Sequence, residues 1–562
     1  MLVQKEGEPV ALVLSGGGAK GAAHVGVLLE LEKMGWHFEL VTGASIGALV
    51  GAGYSLLGQA KPLLYYAHVM QRWVPGKVSA TGKNRRGLGK KGRNPERKQR
   101  WMCVFSAVLP GIFPYWLYAS GLRFFLRGKR FEDGAIPFCC TVVDWKQGKV
   151  LVFRSGKLLP ALLSSMAIPG VFRPQCVKTR RLVDGGTLDN LPVEVALQLG
   201  AKRVLAVHLN DHQVDSPDTD ELFDNPPELQ HANQAFKRVS DIRFFHLSRL
   251  SAQRADVVID VDTRGFRNLD FTRTDELIER GRQAVREQRE VLENALGGNW
   301  PSAGPPYQEP EQHNPVQLVA GGYGWECVDR LEEPVFSGVH KRFPSGQWLV
   351  NGFSAIPVAR ALNPGIPGFP SFLQKMRKLW NDRESDRFGP NVSRCRQDFS
   401  GLAVFDEQDF PGKDIPLKHP VRCEWVCVKD GKVLLSEISN LHQLLLYAFC
   451  TPGYLAPIEG CYNSSILVPF PGLSLEGQRG QTFVLLFPPW QAPVEPPGHP
   501  RTIARSLKRS QLLSSRFLCK KNWKLLAKQN RVLEFQLAPH GNSKEIEIDT
   551  PVACDPEEYV WL

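Results

Sequence analysis

A serine flanked by two glycines is the first place where this chain could carry out chemistry. Residues 43–47 read GASIG, and they lie between a short apolar run, FELV, and a stretch of small and apolar residues. In the GxSxG pattern, a sharp turn between a strand and a helix lifts the serine hydroxyl out of the sheet. The backbone is crowded and strained at such a turn, so small flanking residues are required. The pattern predicts Ser45 as a nucleophile, with Gly43 and Gly47 forming the turn; an ordinary loop is the alternative, because Gly and Ser are common in loops.

A glycine-rich loop follows the first apolar run of the chain, VALVL. Residues 16–21 read GGGAKG and open a predicted helix. Exposed backbone N–H groups at a helix N-terminus can hold a phosphate or stabilise a developing oxyanion. Gly16, Gly18 and Gly21 also match a dinucleotide-binding fingerprint, which requires an acid at the end of the second strand. Glu39 falls within that predicted strand rather than at its end, so it is a poor candidate for the acid.

A third candidate is the aspartate of Asp184-Gly185-Gly186, which follows the apolar run RLV. Open α/β sheets gather their sites at the carboxyl edge of the strands, where this carboxylate could reach an elbow serine. An ordinary Asp-Gly turn is the alternative for this tripeptide alone. Two further residues compete for roles in the site. Asp189 could be the acid instead, and His208 could complete a triad in the order Ser, Asp, His.

These three motifs need a sheet to bring them together, and the surrounding pattern predicts one. Strand, glycine turn and helix occur twice in succession before residue 57, and further apolar runs follow at 139–145, 149–153 and 203–209. Short apolar runs that alternate with helical patterns are typical of a parallel α/β sheet flanked by helices. A charged helix over residues 274–295 ends this half of the chain.

GGGAKG, GASIG and DGG in this order resemble the patatin-like phospholipase family, and the resemblance covers residues 8–296. The segments AIPGVFRP before DGG and DNLPV after it are similar to the family too. The resemblance implies lipid acyl hydrolysis by a Ser–Asp dyad on a patatin-type α/β fold. Ser45 would be the nucleophile and Asp184 its partner, and Gly16, Gly17 and Gly18, with Lys20 beside them, would form the oxyanion hole. No metal or organic cofactor is implied, and the twelve cysteines do not show a zinc-site spacing.

The positive charge of the chain is concentrated in one segment. The formal net charge is +12, and residues 77–100 alone contain ten Lys or Arg and one acid. Residues 101–122 then carry no charge, although two prolines and a glycine interrupt them. A basic cluster beside an aromatic apolar segment predicts docking on an anionic lipid surface, with a disordered loop and a buried lid helix as the alternative. No nucleic-acid motif accompanies the basic run, and the first residues do not resemble a secretory signal, so we expect a cytoplasmic protein peripherally bound to membranes.

The second half of the chain echoes the first. Pro137, the segment Gly148-Lys149-Val150-Leu151 and Pro169-Gly170 recur 283 positions later without a gap. A degenerate repeat over 317–562 is therefore expected after a linker at 297–316, which is rich in Gly and Pro. A separate mixed α/β domain is the alternative. The echo contains no complete site, because where DGG should fall it reads NSSILVPF, without an acid.

The sequence thus predicts a lipid acyl hydrolase of phospholipase type that forms an acyl-enzyme. Three other functions stay open: a carboxylesterase or thioesterase of soluble acyl substrates, a non-catalytic adaptor on anionic membranes, and dinucleotide binding at GxGxxG.

Overall fold

In the computed structural model, residues 9–301 are described except for 74–120, 124, 170, 211–231, 267 and 269–270; beyond residue 315 the described residues are chiefly the strands, helices and turns named below. The predicted insertion at 77–122 therefore lies outside the described residues except at its last two positions. The predicted linker at 297–316 is described only at 297–301 and 316. Among the helices that are described, none is long and apolar enough to cross a membrane.

The first half of the chain builds an α/β sheet from short, buried apolar runs. Its strands are β1 (Val10–Leu14), β2 (Leu40–Ala44), β3 (Phe138–Asp144), β4 (Val150–Phe153), β5 (Gln175–Val177), β6 (Arg180–Asp184), β7 (Arg203–Asn210) and β8 (Val257–Asp262). The order is β4-β3-β2-β1-β7-β8, with β6 also paired to β3 and β5 to β6. The pairs from β3 through β8 along this order are parallel, whereas β4 and β6 run antiparallel to β3. The α/β class predicted from the sequence is confirmed.

Helices cover both faces of this sheet. They are α1 (Ala22–Met34), α2 (Ile46–Leu57), α3 (Lys61–Trp73), α4 (Leu158–Ser165), α5 (Val193–Gln198), α6 (Ala232–Ala252), α7 (Thr274–Glu287) and α8 (Arg289–Leu296). Leu12 of β1 belongs to the large core with α1 and α7, whereas Val13, next along the strand, packs in the core that contains α5. Successive strand residues face opposite sides of a sheet, so each face has its own core.

The second half builds a separate sheet. Its elements are β9 (Gln317–Ala320), β10 (Gln347–Val350), β11 (Pro416–Cys427), β12 (Val433–Asn440), α9 (Leu441–Phe449), β13 (Cys461–Asn463), β14 (Thr482–Leu486), α10 (Ile503–Leu526) and β15 (Arg531–Phe535). The order is β12-β11-β10-β9-β14-β15, with β13 also paired to β11. The last described strand, β16 (Tyr559–Trp561), does not join it but pairs in parallel with β4 of the first sheet. Residues 559–561 therefore depart from the predicted division of the chain at the linker.

The two sheets follow the same plan. In each, four neighbouring pairs are parallel, and the third strand in chain order carries two antiparallel partners. Val142 of β3 pairs with Leu151 and Asp184, and Trp425 of β11 pairs with Leu434 and Asn463. The first two positions in each set differ by the 283 residues of the sequence echo. We propose from this agreement that the second half is a degenerate copy of the first, with Asn463 where the first half has Asp184.

Candidate active site

Ser45 occupies a strained turn between β2 and α2. Its φ of 52° and ψ of −121° lie in a region that L-residues rarely adopt. Gly43 and Gly47 permit the turn, because a Cβ on Gly43 would come within 2.6 Å of the Gly47 backbone and a Cβ on Gly47 would meet the Leu14 carbonyl. A strained serine between a strand and a helix is the geometry of a nucleophile elbow.

A second serine, Ser165 at the end of α4, holds the elbow in place. Its hydroxyl accepts a hydrogen bond of 3.0 Å from the backbone N–H of Ser45. The same hydroxyl donates to the carbonyl of Thr141 on β3, at 2.8 Å. Ser165 therefore links the elbow to the sheet. The sequence reasoning missed this residue, since nothing in its spacing distinguishes it from any serine at a helix end.

Asp184 directly contacts the elbow serine. The Oγ of Ser45 donates a hydrogen bond of 2.6 Å to Oδ2 of Asp184, across 139 positions of sequence. The other carboxylate oxygen, Oδ1, accepts from the N–H of Gly186 at 2.7 Å. Gly185 and Gly186 begin a 3₁₀ turn, Gly185–Thr187, immediately after β6. This turn orients the carboxylate, so that one oxygen is fixed by the backbone and the other faces the serine.

Burial controls the ionisation of this carboxyl group. Asp184 is buried, and the loss of solvation raises its pKa to about 7, although the hydrogen bonds from Ser45 and Gly186 act in the opposite direction. A carboxyl group that titrates near neutral pH can both accept a proton and return it at that pH, which is what a general base and acid must do.

The glycine-rich loop lies against the nucleophile. A Cβ on Gly16 would be 3.1 Å from the Cβ of Ser45, so only a glycine fits at that contact. The N–H of Gly16 donates to the carbonyl of Asn190, at 3.1 Å, and is therefore already used. Among the described residues, the N–H groups of Gly17 and Gly18 have no backbone acceptor. Lys20 lies in the following 3₁₀ turn, Gly18–Gly21, with its side chain buried.

The alternative acid and the candidate triad histidine have other partners. Asp189 is fully buried and accepts a hydrogen bond of 3.2 Å from the Ser251 hydroxyl. His208 pairs through Nδ1 with Asp260 on the neighbouring strand, at 2.8 Å. Neither contact involves Ser45, so within the described residues the carboxyl group that reaches the serine is that of Asp184.

A buried histidine supports the base of the glycine loop. His24 on α1 lies 2.8 Å through Nε2 from the carbonyl of Ser15, and burial lowers its pKa to about 4. The ring is therefore neutral at pH 7, and its Nε2–H donates to that carbonyl. The Ser15 hydroxyl in turn accepts from the N–H of Leu209 at 2.9 Å. These bonds tie the start of the loop to α1 and β7.

Neither a metal nor a dinucleotide finds its usual partners in the part of the chain that the structure describes. No group of three or more His, Cys, Asp or Glu side chains is placed to hold a metal ion there. Glu39 precedes β2, which begins at Leu40, whereas the glycine loop follows the other end of the neighbouring strand β1. The acid of a dinucleotide site belongs at the carboxyl end of the second strand, where this chain has Ala44 and Ser45.

Comparisons with known proteins agree with this geometry. Residues 12–197, about a third of the chain, match the family model of patatin-like phospholipases. The chain is similar to lysophospholipase NTE1 of Mycosarcoma maydis, with 32% identity over 217 residues that cover 38% of this chain and 10% of the relative. It is 29% identical to human patatin-like phospholipase domain-containing protein 6 over 213 residues, covering 36% of this chain and 13% of the relative.

The chain thus matches only a small part of the length of these curated relatives. Among solved structures, VipD from Legionella pneumophila aligns with 52% of this chain and 68% of its own, at 15% identity and a TM-score of 0.29, which is too low to support any inference. The family match includes the elbow, the glycine loop and the DGG turn. This chain therefore contains a domain of the patatin-like phospholipase family.

Proposed function

We propose that this protein is a phospholipase-type lipid acyl hydrolase in which Ser45 and Asp184 act as a catalytic dyad. The family match and the lysophospholipase relatives support lipid hydrolysis. The observation that carries the dyad is the 2.6 Å hydrogen bond from the strained Ser45 to the buried Asp184. An elbow serine bonded to a carboxyl group of pKa about 7 is suited to nucleophilic attack on an ester.

The proposed reaction has two steps. Asp184 takes the proton of Ser45 as Oγ attacks the ester carbonyl, and the developing oxyanion is stabilised by the N–H groups of Gly17 and Gly18. One such donor contributes about 3 kcal/mol to transition-state stability in a comparable site. The leaving alcohol receives the proton back from Asp184, and a fatty acyl group stays on Ser45. Water, deprotonated by Asp184, then attacks the acyl-enzyme and releases the fatty acid.

The substrate surface in this proposal is an anionic membrane. The basic cluster at 77–100 and the uncharged segment at 101–122 are suited by charge and composition to interfacial binding, each Lys or Arg adding about 1 kcal/mol near such a surface. We propose that the protein acts at the cytoplasmic face of membranes without spanning them. Removing the charge from this cluster should weaken binding to anionic vesicles and leave hydrolysis of a short soluble ester unchanged.

The decisive experiment compares the wild type with Ser45→Ala. Both proteins are incubated with anionic phospholipid vesicles and with lysophospholipid micelles, and the released fatty acid is measured. Release by the wild type that is lost in Ser45→Ala is the expected result. Ser354→Ala, a serine near the echoed elbow in the second half, is the matched control and should retain activity. Activity that survives Ser45→Ala would refute the dyad.

Two other functions are separated by the same proteins. A soluble carboxylesterase or thioesterase would cleave short-chain esters and leave vesicles intact. A non-catalytic adaptor would bind vesicles without releasing fatty acid, and it would not react with a fluorophosphonate probe at Ser45.

A further inference from the structure

We propose that the second half of the chain positions the active site of the first, through Lys521 on α10. In this proposal Lys521 anchors residues 189–190, and these residues hold the glycine loop that contains Gly17 and Gly18. The inference rests on the proposed hydrolase function, because the property it explains is the placement of the oxyanion donors.

The anchor is a buried ion pair between the two halves. Nζ of Lys521 lies 3.4 Å from Oδ1 of Asp189, and it also donates to the hydroxyl of Ser251 on α6. That hydroxyl donates in turn to Asp189. The side chain of Asp189 is fully buried and that of Lys521 is 12% exposed. A carboxylate so deeply buried needs a cationic or hydrogen-bonding partner, and here the cation comes from a helix more than 300 residues further along the chain.

The next residue, Asn190, connects this anchor to the catalytic loops. Its carbonyl accepts the N–H of Gly16, the first residue of the glycine loop. Its side chain fills the space beside both Gly16 and Gly186, and a Cβ on Gly186 would be 2.8 Å from the Asn190 Oδ1. Its Nδ2 lies 3.4 Å from the hydroxyl of Ser248 on α6. A displacement of residues 189–190 would therefore move the glycine loop and the DGG turn together.

The helix that carries Lys521 is firmly seated on the first half. Leu513, on the same helix, packs in the core beneath β3, β4 and β6 and against the turn at Gly148. The corresponding turn of the second half, at Gly431, receives His246 of α6, whose Nε2 lies 3.1 Å from the Gly431 carbonyl. Each half thus places one long helix on the β-turn of the other, and β16 adds a second attachment at the edge of the first sheet.

This arrangement gives the second half a role that does not require a site of its own. Positioned donors lose effect when they move by a fraction of an ångström, since the reacting atoms must be closely aligned. The loop would keep its conformation only while α10 stays docked and Lys521 stays paired with Asp189. Lys521 is accordingly a positioning residue, acting through Asp189 and Asn190.

The test compares Lys521→Met, Lys521→Arg and the control Lys520→Met in the full-length protein. Methionine keeps the apolar stem of lysine and removes the charge, whereas arginine keeps a cation that can reach a carboxylate. Fatty-acid release from lysophosphatidylcholine micelles gives kcat and KM, and titration with a fluorophosphonate probe counts the competent Ser45 groups. We expect kcat to fall about tenfold in Lys521→Met, with KM within about twofold of wild type, because the lost interaction acts on the transition state.

Lys521→Arg should restore kcat to within about threefold of wild type, and Lys520→Met should match wild type. A merely structural role would lower the count of competent serines or the melting temperature and leave kcat per competent site unchanged; that result would overturn the inference. If Lys521→Met does not fold, Ser251→Ala decides the question, since it removes one hydrogen bond from Asp189 and keeps the ion pair. An unchanged kcat in Ser251→Ala would then overturn it. Failure of the wild type to release fatty acid would refute the proposed function instead, and so is a distinguishable outcome.

Discussion

Replacing Asp184 by asparagine should abolish hydrolysis and stabilise the fold, and the stabilisation should depend on pH. Burial raises the pKa of Asp184 from 3.8 to about 7. A carboxyl group whose pKa is higher in the folded than in the unfolded state favours folding at low pH. That contribution is complete below about pH 4 and is lost as the pH rises through about 7. Above pH 7, folding must therefore keep a buried carboxylate ionised.

The size of this effect follows from the pKa difference. About three units correspond to about 4 kcal/mol at pH 8, at about 1.4 kcal/mol per unit. Asparagine carries no charge, and its amide can still accept from the Gly186 N–H and donate to the Ser45 oxygen. Allowing about 1 kcal/mol for an imperfect hydrogen bond, we expect Asp184→Asn to be about 3 kcal/mol more stable than wild type at pH 8. The difference should shrink by about 1.4 kcal/mol per unit as the pH falls from 7 towards 4.

Urea unfolding of both proteins at pH 8 and pH 5 measures this difference, and fatty-acid release measures the loss of activity, expected to be about 10³-fold or more. In the wild type, kcat/KM should rise with pH through about 7, because the base must be ionised. Asp189→Asn is the matched control, since its carboxylate is equally buried but paired with Lys521. It should be less stable than wild type at pH 8, because the lysine loses its partner. Equal stabilities of wild type and Asp184→Asn at both pH values would refute the reasoning.

Three further predictions concern the parts that support the site. Ser165→Ala should lower kcat about tenfold, because the N–H of Ser45 loses its acceptor; steady-state kinetics test this, and an unchanged kcat would remove Ser165 from the site. Gly26→Ala should lower the free energy of unfolding by about 2 kcal/mol or more, since a Cβ would strike the backbone of α7; an unchanged urea midpoint would contradict that packing. Burial lowers the pKa of His246 to about 4, so its contribution to stability is lost as the pH falls from 6.5 towards 4. His246→Gln should remove about 3 kcal/mol of that acid sensitivity, read from urea unfolding at pH 7 and pH 4.

The candidate residues could be identified from the sequence because their roles demand particular backbones. A strained turn admits only small neighbours, so Gly43 and Gly47 mark Ser45 without any knowledge of the rest of the chain. Short apolar runs between helical stretches indicate strands buried on both faces, which predicted the α/β class. The 283-residue echo anticipated a second sheet of the same strand order, although its origin as a repeat stays a proposal.

Other features depend on residues that are distant in sequence and meet only in the folded chain. Ser165 supports the elbow from 120 residues away, and the N–H of Gly16 is taken up by Asn190, which leaves Gly17 and Gly18 as the proposed donors. The pKa of Asp184 is set by burial, which no motif encodes. The contact between Lys521 and Asp189 joins the two halves of the chain. Local backbone constraints can be read from neighbouring residues, whereas burial and long-range hydrogen bonds exist only once the sheets and helices have packed together.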